Sequence, residues 1–162
     1  MDLLTASDLE ELAQQEGGPR VSIYMPTHRT VPDVEQDRIR LKNLVSEAEE
    51  RLEQGGHRLK ERDRIMEPLR KLAGNDFFWD ARSDGLAVFA DGAGLRSYKL
   101  PVSFDSTVAV SPRYLLKPLI GFLASDGRYF VLALSRGSVR LFQATKLSVS
   151  EIRLEGAPAS LT

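Results

Sequence analysis

Apolar residues follow two different spacings along the N-terminal part of this chain. They alternate with polar or smaller residues over Val21–Met25, which predicts a strand that Pro26 ends. Over about Asp33–Gln54 they recur at helical spacing and form an apolar arc about 100° wide, which predicts a long amphipathic helix. The residues of that arc are Leu41, Leu44, Val45, Ala48 and Leu52.

Weaker patterns predict further elements on both sides of this helix. The spacing of Ser7 and Glu10 fits a capping box and places a short first helix near Ser7. A third helix is expected from around Arg58 to Ala73, and Pro68 either kinks it or begins a new helix. Its core candidates are Leu59, Met66, Leu69 and Leu72. The elements expected next are a hairpin around the turn Asp91–Gly94, a strand over Thr107–Val110 and a helix over Tyr114–Leu123.

Three successive strands are predicted after the turn at residues 125–127: Tyr129–Ser135, Ser138–Gln143 and Leu147–Leu154. The order of elements predicts an α/β fold, in which a mixed sheet is layered with helices over residues 1–125. The three-stranded β-meander of residues 126–162 is expected to begin an incomplete second domain. Such a meander leaves one apolar face uncovered. One expectation is that a second copy of the chain covers this face in a homodimer.

Composition excludes several classes of protein. The 162 residues carry 22 Lys or Arg and 23 Asp or Glu, a net charge of −1, so a strongly cationic nucleic-acid binder is not supported. The absence of cysteine excludes disulfides, a thiolate nucleophile and cysteine-ligated zinc. No secretory signal or membrane-spanning run is visible, and a cytoplasmic location is therefore expected.

Local basic residues form the candidate binding chemistry. A five-residue stretch of the long helix contains Arg38, Arg40 and Lys42, and the loop before the helix contains His28 and Arg29. These five residues are predicted to contact phosphate oxygens of RNA. The alternative is structural: the helical cations flank the buried face with their aliphatic stems, and His28 fixes the exit of the strand.

Other residues give less support for chemistry. His28 and His57 lie in separate segments without metal-ligand spacing, and the glycines form neither a dinucleotide fingerprint nor a P-loop. No G-x-S-x-G elbow is present. The chain is therefore expected to have no catalytic residue, no metal site and no cofactor. The aromatic run Phe77–Trp79 is assigned to core packing rather than to base stacking.

An ordered set of motifs over about residues 20–145 resembles one family, the bacterial proteins related to archaeo-eukaryotic peptide-chain release factors. The motifs are VSIYMPTHR from Val21, RIRLKNL from Arg38, Phe78-Trp79, DGLAVF from Asp84, YKLP from Tyr98, YLLKPL from Tyr114 and RYFVLALS from Arg128. The resemblance implies a release-factor-like N-terminal domain, followed by the start of an RNase-H-like middle domain.

The resemblance also implies a functional class, with two departures. The chain contains neither the Asn-Ile-Lys-Ser decoding stretch nor the Gly-Gly-Gln loop of release factors, so stop-codon recognition and peptide release are not expected. What the resemblance implies is a non-catalytic module that associates with the ribosome, tRNA or other RNA in translation quality control or ribosome dormancy. The alternative is a protein-interaction or scaffolding domain with no RNA role.

Overall fold

The computed structural model describes residues 4–30, 33–79, 83–124, 129–135, 138–144 and 149–152. The elements are α1 Ala6–Gln14, β1 Arg20–Pro26, α2 Asp33–Gln54, α3 Leu59–Ala73, the 3₁₀ helix Asp76–Trp79, β2 Gly85–Asp91, β3 Gly94–Leu100, β4 Thr107–Ser111, α4 Lys117–Ala124, β5 Tyr129–Ser135, β6 Ser138–Ala144 and β7 Val149–Ile152. The chain divides into two compact units, Met1–Ile120 and Gly121–Thr162.

The first unit is built on a four-stranded sheet in the order β3-β2-β1-β4. The predicted class, helices layered on a sheet and followed by a separate three-stranded meander, is confirmed. Within that class the sheet is not mixed, because every described strand pair is antiparallel. The reason is the helix hairpin between β1 and β2: two helices return the chain to the end at which β1 finished, whereas a single crossover helix gives a parallel neighbour.

The central strand β1 is buried on both faces. Val21 and Ile23 belong to the core cluster that the sheet forms with α2 and α3. On the opposite face the Tyr24 ring meets Phe89 edge-on, with ring centroids 5.8 Å apart, and its hydroxyl donates to the carbonyl of Leu115. Both faces of the strand are therefore closed to solvent.

The first helix begins earlier than the sequence predicted. Thr5 caps it and forms the capping box with Asp8: the Asp8 amide donates to Thr5 Oγ1 at 3.1 Å, and the Thr5 amide donates to Asp8 Oδ2 at 2.8 Å. The predicted pair, Ser7 and Glu10, has the same spacing, but Ser7 already lies inside the helix. Spacing alone therefore could not choose between the two boxes.

The third helix runs unbroken from Leu59 to Ala73 with Pro68 inside it. Its predicted core is correct at Met66 and Leu69 and wrong at Leu59, which is 65% exposed. At 100° per residue, Leu59 lies only about 20° from the buried Met66, so its face does not account for its exposure; it is the first residue of the helix.

The fourth helix is shorter at its start than predicted. It begins at Lys117 rather than at Tyr114. Tyr114 instead packs its ring against Phe89, at a centroid distance of 5.2 Å, and Leu115 donates its amide to Ser22 Oγ at 3.0 Å. These tertiary contacts hold the segment in a non-helical course against the sheet.

The second unit contains the antiparallel sheet β5-β6-β7. Arg140 on β6 binds Glu151 on β7 through two hydrogen bonds, of 2.8 and 2.7 Å. Of the predicted third strand, Val149–Ile152 is confirmed and the remainder lies outside the described residues. The domain boundary after residue 125 and the RNase-H-like character of the second domain stay predictions.

Candidate nucleic-acid interface

The loop that leaves β1 is fastened to the start of β2. Because the two strands are antiparallel, the end of β1 lies beside the residues that precede β2. The Thr27 amide donates to the Asp84 carbonyl at 3.0 Å, and Thr27 Oγ1 donates to the Ser83 carbonyl at 3.0 Å. These bonds fix the point from which His28 and Arg29 project.

A buried carboxylate, Asp37 in the second turn of α2, organises the first part of the site. Its side chain is fully buried, and it accepts from the His28 amide at 2.7 Å, from His28 Nδ1 at 2.9 Å and from Arg40 at 2.7 Å. A buried carboxylate is costly unless such donors satisfy it. Because a carboxylate can only accept, Nδ1 carries the ring proton of His28 in this contact.

Arg29 is held by a second carboxylate. Its Nε and a terminal nitrogen each donate to one oxygen of Asp84, both at 2.7 Å, in the bidentate geometry that suits a guanidinium. Both side chains are largely in solvent. The hydrogen bond from Arg29 holds the pKa of Asp84 below its usual value.

Arg38 and Lys42 lie on the other flank of α2. Arg38 binds Glu35 at 3.1 Å in its own helix and also binds Asp76 of the 3₁₀ helix. Lys42 follows Arg38 by about one helical turn, so it lies on the same flank. Its side chain is exposed, and it forms no ion pair among the described residues.

The structure therefore separates the five predicted residues into three groups. His28 and Arg40 meet at Asp37, Arg29 binds Asp84, and Arg38 lies with Lys42 on the opposite flank. The side chains of Arg38 and Arg40 are 26% and 32% exposed, as the flanking alternative predicts. Their proposed role in RNA binding stays a prediction.

Sequence reasoning missed the carboxylates that organise these cations. A signal for Asp37 was present: it precedes Leu41 by four residues and so continues the apolar arc of α2. A charged residue at a core position must find partners or destabilise the fold. No comparable signal pointed to Asp84, because its partner Arg29 is 55 residues away in the chain.

The aromatic run Phe77–Trp79 is divided by the structure. Trp79 is buried in the core cluster, as the core-packing interpretation predicts, and Phe78 packs partly against that cluster. Phe77 is 84% exposed, so the interpretation is wrong for this residue. A 3₁₀ helix has three residues per turn, and consecutive side chains therefore point in different directions.

Other kinds of site receive little support from the described residues. They contain no group of three His, Asp or Glu side chains placed to hold a metal ion. A cleft of about 410 Å³ beside α1 and β3 is lined by Asp8, Glu11, Leu95, Arg96, Ser97 and Tyr98, and includes none of the five predicted residues. No helix in the described part of the chain is long and apolar enough to cross a membrane.

Comparison with known proteins shows similarity of fold. No family model matches the sequence, and no curated protein matches it. Among solved structures, it is similar to the archaeal translation termination factor aRF1, with 15% identity and a TM-score of 0.49, and to an archaeal protein with 14% identity and a TM-score of 0.50. Each match covers 91% of this chain but only 42% and 43% of those chains. At this identity the second match shows a shared fold alone.

Removing the charge of Asp37 tests its organising role. Asp37→Asn replaces a carboxylate that accepts from His28 and Arg40 with a neutral amide, which offers one oxygen. We expect a loss of about 1.5–3 kcal/mol in the free energy of unfolding, the range for hydrogen bonds to charged groups. Urea denaturation measures this, with Glu50→Gln as the control on the exposed face of α2. Equal stability of the two variants would contradict the assignment.

The Arg29–Asp84 pair predicts a pH effect of known sign. In Arg29→Gln the pKa of Asp84 should rise towards its ordinary value of 3.8, because the donor that lowers it is gone. A depressed pKa stabilises the fold above the unfolded-state pKa, and this stabilisation is lost as pH falls through the folded-state value. Titration of the carboxyl carbon by NMR measures the shift.

A matched variant controls this titration. Arg140→Gln removes the donor that lowers the pKa of Glu151, so it should raise the pKa of Glu151 and leave that of Asp84 unchanged. An Asp84 pKa that does not move in Arg29→Gln would show that the pair does not form in solution.

Proposed function

We propose that this chain is a non-catalytic, translation-associated module that binds the ribosome or other RNA, in quality control or dormancy. The observation that carries the proposal is the concentration of cations in the β1 exit loop and the first three turns of α2. Arg and Lys at such a surface contact phosphate oxygens irrespective of sequence. The sequence resemblance to bacterial release-factor relatives supports the same class.

The contacts of each cation indicate how far it is available to bind phosphate. His28 and Arg40 share the buried carboxylate of Asp37, so their first role is to hold the loop against α2. On the other flank the partners of Arg38 are Glu35 and Asp76, whose side chains are exposed, and such surface ion pairs are weak. Lys42 forms no ion pair among the described residues. This flank is therefore where we place the main phosphate contacts, with Arg29 as a further contact at the loop.

The double variant Arg38→Glu/Lys42→Glu tests the RNA role. Co-sedimentation with ribosomes at low salt should weaken, because two attractive charges become repulsive. If each cation contacts one phosphate of a single strand, the slope of log affinity against log salt should fall by roughly 1.4. Pelleting assays across a salt series give both quantities.

The control variant carries the same change of charge elsewhere. Lys60→Glu/Arg64→Glu reverses two exposed cations with the same four-residue spacing on α3. It should bind as the unmodified chain does if the α2 flank is the contact surface. If both double variants weaken ribosome binding equally, net charge alone accounts for the effect, and the assignment of this surface is contradicted.

A second candidate function, protein interaction, is favoured by the edge strand β5. Four of its apolar side chains are between 50% and 64% exposed: Phe130, Val131, Leu132 and Leu134. It carries no charge or proline, which are the features that commonly protect an edge from pairing. The occupant we assign in this alternative is a second copy, paired antiparallel about a two-fold axis.

Sedimentation velocity tests the homodimer. Unmodified protein should sediment with twice the monomer mass of 18.0 kDa at high concentration. Leu132→Lys should be monomeric, because Leu132 is the central residue of β5 and the two lysines would face each other across the axis. Leu59→Lys, at another exposed leucine, is the control. A monomer at all concentrations would exclude this dimer.

A further inference from the structure

Phe77 is a large aromatic side chain that the fold leaves in solvent. It is 84% exposed, the highest value among the large apolar residues that are exposed, whereas Trp79 two residues later is 9% exposed. The backbone beneath it is well anchored: the Phe77 amide donates to Asn75 Oδ1 at 3.1 Å and the Phe78 amide donates to the Asn75 carbonyl at 3.2 Å. The ring therefore projects from an anchored turn rather than from a loose loop.

The neighbouring side chains hold this turn in place. The Phe78 ring meets Trp79 edge-on, with centroids 5.4 Å apart, and Trp79 is part of the core cluster. Lys99 lies over the Phe78 ring, 4.1 Å from the centroid, and donates to the Phe78 carbonyl. Phe77 thus has the support that a stacking platform requires, with its own ring left uncovered.

Cations approach the same turn from two elements. Arg38 of α2 binds Asp76, the residue before Phe77, and Lys99 of β3 binds the residue after it. Lys42 lies on the α2 flank with Arg38. The carboxylates of Asp76 and Glu35 are both paired with Arg38, whereas Lys42 forms no ion pair among the described residues. An apolar protein partner would meet these charges at a desolvation cost, whereas a polyanion is attracted by them.

We propose that Phe77 stacks on an unpaired base of single-stranded RNA while Arg38 and Lys42 hold the adjoining phosphates. The inference rests on the proposed RNA association and specifies its substrate class. Stacking on an aromatic ring is available to every base and is independent of sequence, but it requires a base face that a duplex does not offer. The module would therefore prefer loops, tails or other unpaired segments over helical RNA.

Fluorescence anisotropy with two labelled RNAs tests this preference. The probes are a twelve-residue oligouridine and a mixed-sequence duplex of the same length. Phe77→Ala should weaken oligouridine binding about 5- to 150-fold, the range for loss of one base stack. Binding of the duplex should not change. Leu59→Ala, which removes a large apolar side chain from an exposed position of α3, should leave both affinities unchanged.

A spectroscopic variant reports stacking directly. Trp79 is the only tryptophan in the chain and is buried, so the unmodified protein supplies the baseline. Phe77→Trp adds an exposed indole, whose fluorescence should be quenched when oligouridine stacks on it. Phe77→Trp should also retain oligouridine affinity, which Phe77→Ala loses. Circular dichroism confirms that each variant is folded, as expected for an exposed position.

The outcomes separate this inference from the proposed function. If neither RNA binds the unmodified chain, the RNA role itself is wrong and the inference falls with it. If RNA binds but Phe77→Ala changes neither affinity, or weakens both equally, RNA association survives and the stacking role is overturned. Binding of the Phe77→Trp variant without quenching would also overturn stacking.

Discussion

The central strand β1 must be enclosed on two faces and paired on two edges, and the rest of the first unit follows from that requirement. β2 and β4 satisfy its hydrogen bonds on either side. The helices α2 and α3 cover one face, and the aromatic residues around Tyr24 fill the other. A strand enclosed in this way leaves only its ends accessible, so polar chemistry near it is confined to the loops where the chain enters and leaves the sheet.

The charge cluster at the end of β1 is a consequence of this confinement. The chain must turn from the strand into α2 within a few residues, and the polar backbone of that turn needs acceptors. Asp37 supplies one from inside the core arc of α2, and it takes His28 and Arg40 as its partners. Part of the basic character of this region therefore stabilises the fold. Of the cations outside this network, Arg29 pairs with Asp84 and Arg38 with Glu35 and Asp76, while Lys42 forms no ion pair among the described residues.

The fold class, the strand β1 and the two long helices were accessible from sequence, because their apolar residues repeat with a clear period. The α2 prediction had the same bounds as the helix. The predictions from sequence were less accurate where local signals compete or are absent. Two capping boxes of equal spacing were possible near α1, and Tyr114 packs on Phe89 instead of joining the helix that begins at Lys117. The five basic residues were visible, but their grouping depended on the buried Asp37 within α2 and on Asp84 and Asp76 from other parts of the fold.

The sequence by itself determined which stretches are helical or extended, which faces are apolar, and that cations cluster after β1, because these properties depend on residues close together in the chain. The tertiary structure decided which charges pair and which side chains remain exposed. Arg29 meets Asp84 across 55 residues, and Arg38 meets Asp76 between two separate elements. Phe77 and Trp79 belong to one aromatic run, yet one is exposed and the other buried. Those outcomes depend on how helices and sheet pack together, which no local pattern encodes.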